Sequence, residues 1–285
     1  MVPNRVLLGV DMELRDRSYH ATRKVQQSMA ISPSAARAEA PLRGEDDKGP
    51  LGPRSLACFH AAIVLYYVFV NYKMFTCSRR LKDSNHPITR MFLKGVTQFF
   101  TDWTQVIHQT YFVASLIQDI LVLTGRHPKV CQTLATCRQR LFGPVLLPAT
   151  CLTVTNFWAC YAVAPHLMLG DLVALYPRIM NHAMHTFIAP IAYAELLVTR
   201  HHVVPRSQGL VSATIFMSGY ASWMYLISYL TDLWPYRFLV VMSVPQHFIF
   251  IPCMHLHGYF WFFVNEVLIS FVWGTKKECK QDTQE

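Results

Sequence analysis

LFGPVLLPATCLTVTNFWACYAV, residues 141–163, runs the thickness of a bilayer without one charged side chain. About twenty mostly apolar residues in a helix span the ~30 Å hydrocarbon core, so this stretch reads as a transmembrane segment. Outward from it, similar stretches occur at roughly 56–72, 99–124, 177–199, 209–230 and 245–273. In hydrocarbon every backbone polar group must be paired internally, which leaves helices as the spanning element here. The expected fold class is all-α, a polytopic membrane helix bundle of about six transmembrane helices over residues 55–275. Bulk composition agrees. Apolar residues make up 52% and charged residues 15%, against about a quarter charged in an ordinary soluble domain.

The flanks differ. Residues 1–54 mix acid and base without periodicity and end in Gly49-Pro50-Leu51-Gly52-Pro53, the composition of a disordered tail and linker. Residues 276–285 form a polar C-terminal tail. The apolar patch Val6–Val10 is too short for a signal-peptide core, so the first span is expected to direct insertion. The net charge of +9 sits in short connectors rather than in a stripe interleaved with aromatics. It therefore suggests membrane lipid headgroups as partners and no nucleic acid. By the positive-inside rule, the connectors 125–140 and 200–206 and the C-terminal lysines put both termini in the cytoplasm; the basic connector 73–94 runs against this. The expected location is a multi-pass membrane setting, the plasma membrane ahead of the endoplasmic reticulum. The residues assign no oligomeric state.

Eight cysteines occur, none as a CxxC pair. Most read as small buried apolar side chains, with Cys131–Cys137 as an optional disulfide.

The spans are unequal. The first, third and fifth are apolar and are expected to be lipid-facing. The second, fourth and sixth carry polar groups, which are costly at membrane depth and commonly functional. On the second, Gln105 lies about 40° from Thr101, His108 about 20° to the other side, and Asp119 returns to the same direction after five turns. Such a stripe serves either interhelical packing or chemistry. The fourth opens with Tyr176-Pro177-Arg178-Ile179-Met180-Asn181-His182-Ala183-Met184-His185-Thr186. His182 and His185 are neighbours on one face, and Asn181 can fix an imidazole tautomer.

In an alternating bundle the second, fourth and sixth spans start from one side. Thr101, His185 and His255 then share a depth. A hydroxyl and an imidazole at one level suit a nucleophile–base pair acting on an ester. Asn181, His182 and Gln105 are the candidate supporting donors for the oxyanion. No carboxylate is placed to orient His185: Asp102 is about 100° off the stripe and Glu195 lies deeper.

Asn181-His182-Ala183-Met184-His185-Thr186-Phe187 after Tyr176-Pro177 resembles the hallmark of the androgen-induced gene family. Further matches are Phe99-Phe100-Thr101 with Trp103 and Gln109, His201-His202 with Pro205-Arg206-Ser207 and Gly209-Leu210, and Glu266-Val267-Leu268 with Trp273. The similarity runs in order over roughly 56–275; the tail 1–54, the basic 73–94 connector and Asp102 depart from the family form. The resemblance implies a cofactor-free membrane hydrolase of fatty acid esters of hydroxy fatty acids, with Thr101 as nucleophile and His185 as histidine. Its partner is a lipid ester, whose carboxylate Arg178 or an interfacial lysine could meet.

Two other classes compete. His182-x-x-His185, His201-His202 and His255-x-His257 superficially resemble the boxes of membrane metalloenzymes, but the His201 pair falls at the far end of its span from His185, so no metal is expected. A non-catalytic membrane scaffold or regulator would use the polar stripes for packing alone. Gly-x-Ser-x-Gly, Walker and Rossmann patterns are absent.

Overall fold

The computed structural model describes residues 49–80, 98–164 and 177–274, and among these every regular element is helical. The expectations for tail residues 1–48, connector residues 81–97 and the C-terminal tail lie outside the described residues. The chain forms α1 (Pro53–Arg80), α2 (Phe100–Thr124), α3 (Pro128–Leu141), a π-turn (Phe142–Leu146), α4 (Leu147–Val163), α5 (Arg178–His185), α6 (Ile188–Val198), α7 (Arg206–Thr231), α8 (Arg237–Val241) and α9 (Val244–Trp273).

Five stretches are long and apolar enough to cross a membrane: Pro53–Cys77, Phe100–Thr124, Pro128–Val163, Arg206–Thr231 and Val244–Trp273. Large apolar side chains point outward from them; Phe271 is 87% exposed and Phe248 74%. A surface of that kind suits lipid and not water. The protein is a multi-pass helical membrane bundle.

The span expected at 177–199 is broken into α5 and α6. The cause is Pro190, which has no N–H to give the carbonyl four residues earlier. Around it the ladder shortens, with Ala189 N–H donating to the Thr186 carbonyl at 3.2 Å. A second irregularity joins α3 to α4. Pro144 and Pro148 lie four residues apart, and the chain absorbs both with a π-turn closed by Leu147 N–H on the Phe142 carbonyl. The expected connector 125–140 is thus largely helix, continuous with the third span. Within α3, Cys131 is buried and Cys137 exposed; six residues apart on a helix they face different ways, so the optional disulfide is not formed.

The third span also corrects the expectation that odd-numbered spans face lipid. Over half of its apolar window, 56%, is buried inside the bundle, against 11% for α9. Lipid and protein interior are both apolar, so lack of charge does not separate a lipid-facing helix from a central one. Close helix approach follows from small residues: a Cβ on Gly258 of α9 would collide with Met217 of α7.

Far from Thr101 along α2, an ion network ties four elements together. His60 of α1 bonds Asp119 (2.5 Å) and Glu195 (2.9 Å). Arg138 of α3 reaches Glu195 (2.9 Å) and Gln118 (2.7 Å), and Tyr111 donates to Glu195 at 2.6 Å. Glu195 and His60 have no exposed surface. Buried charges persist only when paired and hydrogen-bonded; both Arg138 Nη atoms meet that condition, and Arg138 Nε has no partner among the described residues. His201, between α6 and α7, lies flat on Phe142 with ring centroids 3.7 Å apart. Burial holds its imidazole below the usual value, against the pull of Glu195 at 3.6 Å.

Candidate functional site

Thr101 occupies the first turn of α2, whose start is set by Asp102: its carboxylate accepts the Phe99 N–H at 3.2 Å. The acid that follows the threonine is therefore a helix cap. The next N–H, of Phe100, donates to the Tyr236 hydroxyl at 3.0 Å. Tyr236 lies between α7 and α8, where burial pushes its phenol up to about 12, so it stays a neutral hydrogen-bonding group.

His185 closes α5. Its Nε2 is 3.1 Å from Thr101 Oγ1, and its Nδ1 is 3.0 Å from the Asn181 carbonyl. The carbonyl can only accept, so Nδ1 carries the proton and Nε2 is left with a lone pair toward the threonine hydroxyl. Asn181 thus fixes the tautomer, but with its backbone and not its side chain.

One contact holds that imidazole and two hold its helix. Phe157 of α4 stacks on it. Trp158 Nε1 donates to the His185 carbonyl at 3.2 Å, an acceptor available because the helix breaks at Thr186. Tyr66 of α1 donates to the Ala183 carbonyl at 2.9 Å, fixing α5 from the other side.

Thr101 also lines an apolar cavity of about 510 Å³ between α2, α4, α7, α8 and α9. That size falls in the usual range for small-molecule sites. Leu152, Met217, Met224, Phe238 and Phe250 supply much of its wall. His185 is not part of the lining; it backs Thr101 from behind, under Phe157.

The remaining candidates divide. His182 is exposed, stacks on Trp158 and bonds Thr186 Oγ1 at 3.1 Å. Gln105 is buried one turn deeper, its amide without a hydrogen-bond partner among the described residues, and does not line the cavity. His255 does line it, but Ser218 Oγ (3.0 Å) and the Ile251 carbonyl (2.9 Å) occupy its two nitrogens. His108 is held by Tyr67 (2.8 Å) and Thr150 (2.7 Å), a packing role. Asp119 belongs to the distant ion network. The stripe on α2 therefore serves three separate purposes.

Phe157 and Trp158, which touch His185, and Asn156 and Tyr236, which line the cavity with Thr101, had not stood out in the sequence. Only Asn156 carried a signal, as the sole amide side chain in the charge-free stretch 141–163.

The model of the FAR-17a/AIG1-like protein family matches residues 55–270. The chain is 25% identical to the androgen-induced gene 1 protein of Homo sapiens over 197 residues, covering 67% of this chain and 83% of that protein. It is 23% identical to the androgen-dependent TFPI-regulating protein of Homo sapiens over 235 residues, covering 80% and 97%. The Rattus norvegicus protein of the same name is 21% identical over 223 residues, covering 76% and 92%. No solved structure matches the chain.

Proposed function

The chain belongs to the FAR-17a/AIG1-like protein family, and on that premise we propose that it is a membrane hydrolase of fatty acid esters of hydroxy fatty acids. The observation that carries this reading is the 3.1 Å pairing of Thr101 Oγ1 with the lone-pair nitrogen of His185 at the wall of an apolar cavity. The plasma membrane, ahead of the endoplasmic reticulum, is the proposed location. No cofactor enters the scheme.

The chemistry follows from the two atoms. His185 Nε2 takes the hydroxyl proton while Thr101 Oγ1 attacks the ester carbonyl carbon. The tetrahedral intermediate collapses, the bond to the hydroxy fatty acid oxygen breaks, and His185 returns the proton to that oxygen. Water then adds to the acyl-threonine with His185 again as base; the acyl–Oγ1 bond breaks, His185 returns the proton to Thr101 Oγ1, and the free acid leaves. A branched lipid ester partitions into the bilayer, so one acyl chain can enter the cavity without leaving an apolar medium.

The test is hydrolysis by the purified full chain in lipid nanodiscs, beside folded Thr101→Ala and His185→Ala variants. The proposal expects loss of turnover in both; wild-type rates in either would remove the dyad.

A second reading is a non-catalytic regulator, since one relative is named a TFPI-regulating protein and His108 shows that polar groups of α2 can serve packing alone. Turnover abolished by Thr101→Ala would exclude that reading.

A further inference from the structure

A nucleophile and a base do not complete an acyl-transfer site, because the charge developing on the carbonyl oxygen needs a donor already in place. The polar groups that line the cavity identify it by their bonding. Thr153 Oγ1 pairs with Thr104 Oγ1 at 2.9 Å. His255 is held by Ser218 and Ile251, as above. Tyr220 donates toward the Gln98 carbonyl at 3.2 Å, and Tyr236 is tied to Tyr220 and Phe100. Asn156 differs: among the described residues its Nδ2 meets only the Met254 sulfur, at 4.0 Å, a weak acceptor at a long distance.

Helix register puts this amide at the level of the nucleophile. α2 and α4 run antiparallel, and two hydrogen-bonded pairs fix their alignment: His108 with Thr150 at 2.7 Å and Thr104 with Thr153 at 2.9 Å. One further step of three residues in each helix reaches Thr101 and Asn156. The next residue on α4, Phe157, stacks on His185, which agrees with that level. Thr101 and Asn156 line the same cavity.

We propose that Asn156 is a further catalytic residue, its side-chain amide donating to the oxyanion formed when Thr101 attacks the ester. This rests on the hydrolase reading. The amide of Thr101, in the first turn of α2, belongs to the N–H groups that helix geometry leaves without an intrahelical partner. It lies at the positive end of the helix and is the natural second donor. Asn156 thus replaces the Asn181, His182 and Gln105 side chains in this role: none of the three lines the cavity.

The experiment measures kcat and KM of the full chain in nanodiscs on a palmitoyl ester of a hydroxy fatty acid. Asn156→Leu keeps the bulk and suits the apolar wall; Asn156→Asp keeps the shape but replaces donors with a negative acceptor. Both are expected to lower kcat about 10²–10³-fold, with KM within about threefold and the melting temperature unchanged. If Asn156→Leu fails to fold, Asn156→Asp decides alone. Variants that keep kcat within about threefold of wild type overturn the proposal and leave the hydrolase reading standing. A change confined to KM also overturns it, assigning Asn156 to substrate binding. Wild-type protein no more active than Thr101→Ala removes both.

Discussion

Phe157 lies flat on His185, with ring centroids 3.5 Å apart and planes 9° from parallel. The imidazole is thereby held in one plane, with its two nitrogens aimed at Thr101 and at the Asn181 carbonyl. Such preorganisation matters because a displacement of about 1 Å can cost roughly 10²-fold in rate. Phe157→Leu keeps an apolar side chain and removes the flat contact. Turnover is expected to fall about 10–100-fold, while Phe157→Tyr, which retains the ring, stays much closer to wild type. Equal rates in wild type and Phe157→Leu would deny the stack any part in positioning.

Asn181→Ala tests the tautomer assignment. His185 bonds to the carbonyl of residue 181, which alanine also supplies. Turnover is expected within about threefold of wild type, whereas a role for the side-chain amide in fixing the imidazole would cost about 10²-fold or more.

The cavity should limit chain length. Ala221 lines it, and phenylalanine there would fill part of the space. Ala221→Phe is expected to depress hydrolysis of long-chain esters at least tenfold while short-chain esters react at wild-type rates. A uniform loss across chain lengths would point to a packing defect instead.

Arg178 is exposed at the start of α5, seven residues and so about 10 Å of helix before His185. If it meets the substrate carboxylate, Arg178→Ala raises KM for the free-acid ester and leaves the methyl ester unaffected. Parallel behaviour of the two substrates would remove the headgroup contact.

The ion network governs stability rather than turnover. Glu195→Ala strips Arg138 and His60 of a shared carboxylate, and breaking a buried pair in this way costs about 3–5 kcal/mol. Glu195→Gln keeps shape and hydrogen bonding and should lose less. Denaturant titration of the two variants in matched micelles gives the comparison; a Glu195→Ala protein as stable as wild type would show the network to be dispensable.

Much of the site was legible in the chain. Alternation of spans brings Thr101 and His185 to one depth, whereas the i,i+3 spacing put His182 and His185 on one face without telling that His185 is buried and His182 exposed. The supporting set was not legible, because it depends on neighbours from other helices. Trp158 bonds the His185 carbonyl, which is open to it because Ala189 N–H turns to the Thr186 carbonyl where the helix breaks. Asn156 matters only in the register that Thr104–Thr153 and His108–Thr150 impose. Gln105, on the right face by angle, sits one turn too deep to reach the cavity.

By itself the sequence determined the class of molecule and the position of most of its spans, since hydrophobic length is a property of consecutive residues; the break in 177–199 and the helical start of the third span at Pro128 came from the tertiary structure. The sequence also determined the polar faces, because helical angle follows from spacing alone. Tertiary structure decided which of those polar groups meet: His60 with Glu195 across 135 positions, and Thr101 with His185 across 84. It decided too which apolar helix is central and which faces lipid. Composition cannot separate those two cases, for a methyl group finds nearly the same surroundings in a bilayer as against another helix.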